Sequence, residues 1–230
     1  MSTFQCHNAP LQQKLTLLVK SGKVEELRTY LQSLSYSYFR TAGFLLAETV
    51  LPTCEPDRFW TLFVGIVPTN AKAYLGTFLK AATKLYAAGK LSLDPTVLQT
   101  FANTASIIDK QKVLQAFLPI IRQHEEVKCL VDLFYTTDEQ VHALLIRAGT
   151  LPCYYVLFNF LKTSDDNVLI RHVAITLLKK GDGIAYNLVS IIKHYFGVED
   201  LPAQLSLKVE TYELSRLDTS YEKFVKTLTK

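Results

Sequence analysis

The spacing of helix start and stop signals is what most restricts the fold of this chain. Gly22, Gly89, Gly149, Gly181 and Gly197, with Pro52, Pro68, Pro152 and Pro202, interrupt an otherwise continuous helical pattern of apolar residues. No segment alternates apolar and polar residues well enough for a half-buried strand. Asp94-Pro95 reads as an N-cap followed by a proline whose missing N–H costs nothing at the first helical position. Thr137-x-x-Gln140 and Thr219-x-x-Glu222 fit the capping box, and Thr69, Ser164 and Asp200 are further expected caps. These signals predict helices over 11–20, 23–34, 38–50, 56–67, 70–88, 95–105, 107–121, 123–135, 138–148, 151–162, 166–180, 183–196, 203–216 and 219–229. Pro119 is expected to kink or end the helix 107–121 a turn early. The stretch Cys153–Leu161 is the most strand-like, being rich in aromatics, but its helical neighbours favour a buried helix.

Connections of two to five residues force successive helices to fold back on each other. Taken in pairs, the helices begin near 11, 38, 70, 107, 138, 166 and 203, at intervals averaging about 32 residues. The best internal echo sets Arg40-Thr-Ala-Gly-Phe-Leu-Leu against Arg171-His-Val-Ala-Ile-Thr-Leu-Leu. Leu51-Pro52-Thr53-Cys54 and Leu151-Pro152-Cys153 make a second, at helix junctions. An Arg, a small residue and a Leu-Leu pair on a buried helix resembles degenerate HEAT or armadillo-like repeats. The resemblance implies a single domain over 1–230, all-α, with antiparallel helix pairs stacked as an α-α superhelix and a concave face that binds extended partners. A compact irregular bundle of the same helices is the alternative.

Composition narrows the function classes. Hydrophobic residues make up 49% of the 230 and charged residues 20%, which excludes disorder. Mean hydropathy is +0.14, yet the apolar runs Phe59–Val67, Cys153–Phe160 and Ile184–Ile192 are too short to span a bilayer. The start, MSTFQCHNAP, lacks a basic segment followed by an apolar one, so no secretory signal is expected and the expected address is cytoplasmic. Cys6, Cys54, Cys129 and Cys153 show no close pairing and read as free thiols or small core residues.

Charge is unevenly placed. Residues 1–115 hold 12 Lys and Arg against 7 Asp and Glu, whereas residues 116–230 hold 13 against 14. From Arg58 through Lys90 no acid appears. On the helix 70–88, Ala71, Tyr74, Leu75, Phe78, Leu79, Ala82, Leu85 and Tyr86 fall within one arc, and Lys72, Gly76, Lys80 and Lys84 run along the other side. With Lys90 just beyond, and Arg58 and Trp60 upstream, these lysines are the candidate binding residues for phosphates or an acidic protein surface. A plain solvated face is the competing reading. Bacterial DNA-alkylation-repair glycosylases are HEAT-like proteins that rely on tryptophans and an aspartate on a basic concave face. This chain has one tryptophan, and Asp57-Arg58-Phe59-Trp60 is a poor substitute, so no catalytic residue is carried over.

No motif carries chemistry. His7, His124, His142, His172 and His194 are scattered, and His124 and Cys129 lie about 140° apart on their helix, so no metal site or cofactor is expected. Cys54 and Cys153 each follow a Leu-Pro at an expected helix start, where backbone N–H groups can lower a thiol pKa, but neither has an identifiable His partner. Lys179-Lys180 before Gly181 reads as capping of its own helix end. Tyr36-Ser-Tyr38-Phe39 and Tyr154-Tyr155 read as core and hairpin contacts, or as interface anchors where part of each remains exposed. The expected function is a non-enzymatic scaffold for a protein or peptide partner, with nucleic-acid binding through the lysine-striped helix as the alternative. An enzyme assembled from distant residues stays open.

Overall fold

The computed structural model describes residues 8–68, 71–199, 201, 202 and 226, with residues 71 and 72 described for backbone only. Among them are twelve α-helices and no strand, as the start and stop signals predict. Helices α1 (Ala9–Ser21), α2 (Val24–Ser33) and α3 (Tyr36–Leu45) come first. A π-helical turn (Leu46–Val50) and a short 3-10 turn (Leu51–Thr53) extend α3. Then follow α4 (Pro56–Ile66), α5 (Ala71–Ala87), α6 (Pro95–Thr104) and α7 (Ile107–Phe117). Helices α8 (His124–Phe134), α9 (Asp138–Ala148), α10 (Leu151–Lys162), α11 (Asn167–Lys180) and α12 (Gly183–Phe196) complete the order. The expected helices 203–216 and 219–229, and the caps Thr69, Asp200 and Thr219, lie outside the described residues.

The local chemistry explains the boundaries. Asp94 accepts the N–H groups of Thr96 and Val97, and Thr137 accepts that of Gln140. Ser164 is not the cap of α11. Asp166 takes that place, accepting from Val168 and Leu169, while Ser164 accepts the Asp166 N–H. Helix α7 stops at Phe117, two residues before Pro119, as that proline requires. Pro52 has a similar effect upstream: it cannot donate to the Glu48 carbonyl, and the chain passes through a π turn in which the Leu51 N–H reaches back to Leu46.

Backbone contacts divide the chain into two compact units, Met1–Ile120 and Ile121–Lys230. In the first, α5 is central and packs against α3, α4, α7 and both short turns. Its core is aromatic: Phe63 lies 5.2 Å from Phe101 and 6.0 Å from Phe78, ring centroid to centroid. In the second, α10 packs against α8, α9 and α12, and α11 against α9 and α12. Cys153, Tyr154, Leu157, Phe158 and Leu161 are fully buried there, which is why this helix is apolar on nearly every side.

Candidate functional site

Helix α5 buries the arc its sequence defines. Tyr74, Leu75, Phe78, Leu79, Ala82 and Leu85 are all inside, and Lys80 and Lys84 are exposed. The lysines are nevertheless not free. Glu48, carried on the π turn, reaches across with Oε1 2.6 Å from Lys80 Nζ and Oε2 paired to Lys84. Hydrogen bonds from Lys80, then Lys84, hold its carboxyl below the ordinary glutamate value. Helix α5 contains no acid of its own, as expected, but a carboxylate 36 residues before Lys84 supplies one.

The other expected residues are dispersed in role. Trp60 is turned inward: it is 6% exposed, its ring stands edge-on to Phe59 and Phe63, and its Nε1 donates to the Ser92 carbonyl at 3.2 Å. Its π-face is therefore occupied by the core, and it cannot stack on a ligand without unfolding α4. Arg58 and Lys90 are exposed, each near a helix end. The Lys72 side chain lies outside the described set.

A surface element beside α5 adds what the lysines lack. On α3, Phe39 stacks on Tyr74 with centroids 5.0 Å apart, and a Cβ at Gly43 would stand 3.2 Å from Thr77 Oγ1. That row faces α5. Tyr36, Arg40 and Phe44 form the adjacent row, about 100° round the helix. Tyr36 is 74% exposed, Phe44 51% and the neighbouring Tyr38 56%. The Arg40 guanidinium lies over the Tyr36 ring at 5.5 Å, which holds the aromatic and the cation together. Arg40, Phe44 and Glu48 are the residues that sequence reasoning missed; Tyr36 and Tyr38 are exposed, as an interface anchor must be.

Burial pushes the Cys54 thiol up to about 11, against a lowering by Arg58, and raises the Cys153 thiol, against lowering hydrogen bonds from Thr150. Among the described residues no three His, Cys, Asp or Glu side chains converge on a possible metal position. No described helix is long and apolar enough to cross a membrane. Set against known proteins, the chain matches no protein-family model, no curated protein and no solved structure.

Proposed function

We propose that this chain is a non-enzymatic helical scaffold that docks an acidic, aromatic- or leucine-bearing segment of a protein partner on the exposed row Tyr36–Arg40–Phe44. The observation that carries the reading is that row itself: partly exposed aromatic side chains around an arginine, the composition that dominates binding energy at protein interfaces. The excess of positive charge in residues 1–115 favours an acidic partner. Pairing of Lys80 and Lys84 with Glu48 favours protein over nucleic acid, because a carboxylate between two lysines repels a phosphate chain. Packing of α10 on both α8 and α12, with α9 on α11, supports a HEAT-like superhelical stack in the second unit. A cytoplasmic address belongs to the same proposal.

The test is selection of a displayed peptide library on the purified full chain, followed by titration of the enriched peptides. Acidic sequences with aromatic or leucine anchors are expected. Their affinity should fall about tenfold or more for Tyr36→Ala or Phe44→Ala, the loss typical of an interface anchor. Peptides that bind the triple variant Tyr36→Ala/Arg40→Ala/Phe44→Ala as well as the parent would overturn the reading. So would saturable, salt-dependent binding of single-stranded RNA to the same row without any peptide binding.

A further inference from the structure

The second unit carries a concave site unrelated to the α3 row. Helices α8 and α10 enclose a groove of about 590 Å³, continuous with a narrower and more enclosed section of about 280 Å³. His124, Lys128, Tyr155 and Asn159 line both sections. The wider one adds the carboxylates Glu125 and Asp132, and the narrower adds Val156, Phe160 and Thr163, with no acid. The wider volume lies in the range of small-molecule pockets, and the narrower lies just below it.

The polar groups around the narrow section are all able to donate. Among the described residues, Lys128 makes no ion pair, and neither the Asn159 amide nor the Tyr155 hydroxyl makes a hydrogen bond. The His124 ring lies against Tyr155 with centroids 4.2 Å apart, and its Nε2 is 3.0 Å from Glu125 Oε1, which fixes the imidazole at the mouth. Val156 and Phe160 supply an apolar wall. Spare donors around one unpaired ammonium, set over an apolar wall, match a flat apolar body carrying a carboxylate.

We infer that the α8–α10 groove binds a small aromatic carboxylate, its ring against Val156, Phe160 and Tyr155 and its carboxylate on Lys128 and Asn159. The inference does not depend on the docking row of the first unit. At the wider end, burial and then Asp132 and Glu126 raise the Cys129 thiol pKa.

Titration of the ¹⁵N-labelled full chain with phenylacetate and indole-3-acetate, with phenylacetamide as the neutral isostere, tests this. Saturable shift changes at α8 and α10 are expected, and they should weaken about tenfold in Lys128→Met and for the amide, the loss of one charge-assisted contact. Lys128 is exposed, so the variant spectrum should otherwise match that of the parent. The inference fails if neither carboxylate gives saturable shifts up to millimolar concentration. It fails equally if the amide binds as well as the acid, or if Lys128→Met leaves binding unchanged.

Discussion

Lys180 places its ammonium 2.6 Å from the Ile146 carbonyl oxygen, closing the end of a helix that is not its own. It sits in the last turn of α11, yet it reaches α9, lies 5.4 Å from the Tyr154 ring centre and pairs with Asp182 at 3.3 Å. A cation on exposed C-terminal carbonyls satisfies acceptors that the helix cannot. Lys180→Met should therefore cost about 1.5 to 3 kcal/mol, the range for a hydrogen bond to a charged group. Urea denaturation reads this directly, and an unchanged midpoint would mean that water closes α9 equally well. Gly149 adjoins the contact at φ +66, and a Cβ there would stand 1.7 Å from Lys180 Nζ. The ammonium must then leave the Ile146 carbonyl, so Gly149→Ala should lose that bond and also take on about 1 to 2 kcal/mol of backbone strain in the left-handed conformation.

Gly65 lets α4 approach α2. A Cβ at that position would come within 2.2 Å of Val24 Cγ1 and 3.3 Å of its Cβ. Valine has one strongly preferred helical rotamer, so it cannot rotate out of the way cheaply. Gly65→Ala should destabilise the first unit by about 1 to 3 kcal/mol despite alanine's better helix propensity. Val24→Ala should recover much of that loss when combined with it. Additive losses in the double variant would place the strain elsewhere.

Glu48→Gln should uncover Lys80 and Lys84. The carboxylate is held in its charged form, so its stabilising effect is present above the ordinary value of 4.5 and fades as pH falls through its lower folded value. The three side chains are partly exposed, and the change in melting temperature near neutral pH should be small. Binding of an oligouridylate at low ionic strength should rise severalfold in the variant, as two released cations meet phosphate. If anisotropy shows no rise, Glu48 does not mask the lysines.

These contacts mark the border of what the sequence discloses. Positions such as Asp94-Pro95, Gly149 and Pro119 act on neighbours within a turn, so the helices and most of their ends were readable. The buried arc of α5 was readable for the same reason, since 3.6-residue periodicity is local. Partners of Lys84 and Lys180 lie 36 and 34 residues away, and no local pattern pairs them. The π turn also shifts the register by which Glu48 would be assigned a face. Trp60 enters the candidate set as an aromatic upstream of the lysines, beside Arg58, a sequence proximity that says nothing of which way its ring points. The apolar run Leu62, Phe63 and Ile66 on the same helix is what decides its burial.

His142 makes the second unit sensitive to acid. It is 5% exposed, its Nδ1 has no hydrogen-bond partner, and its ring lies edge-on to Phe160 at 5.9 Å. Burial lowers its pKa below 6.5, and Asp138 one turn earlier offsets only part of that. The sign follows from proton uptake: between 6.5 and the lower folded value, the unfolded chain binds a proton that the folded chain refuses. Stability is therefore full above that window and falls as pH drops through it, by at most about 1.4 kcal/mol per pH unit. His142→Leu removes both the titrating group and the orphaned nitrogen, at nearly equal volume. Denaturation midpoints of parent and variant should stay parallel near neutral pH and diverge on acidification, with the variant more resistant. Curves that remain parallel throughout the acid range would show that His142 is solvated or paired in solution.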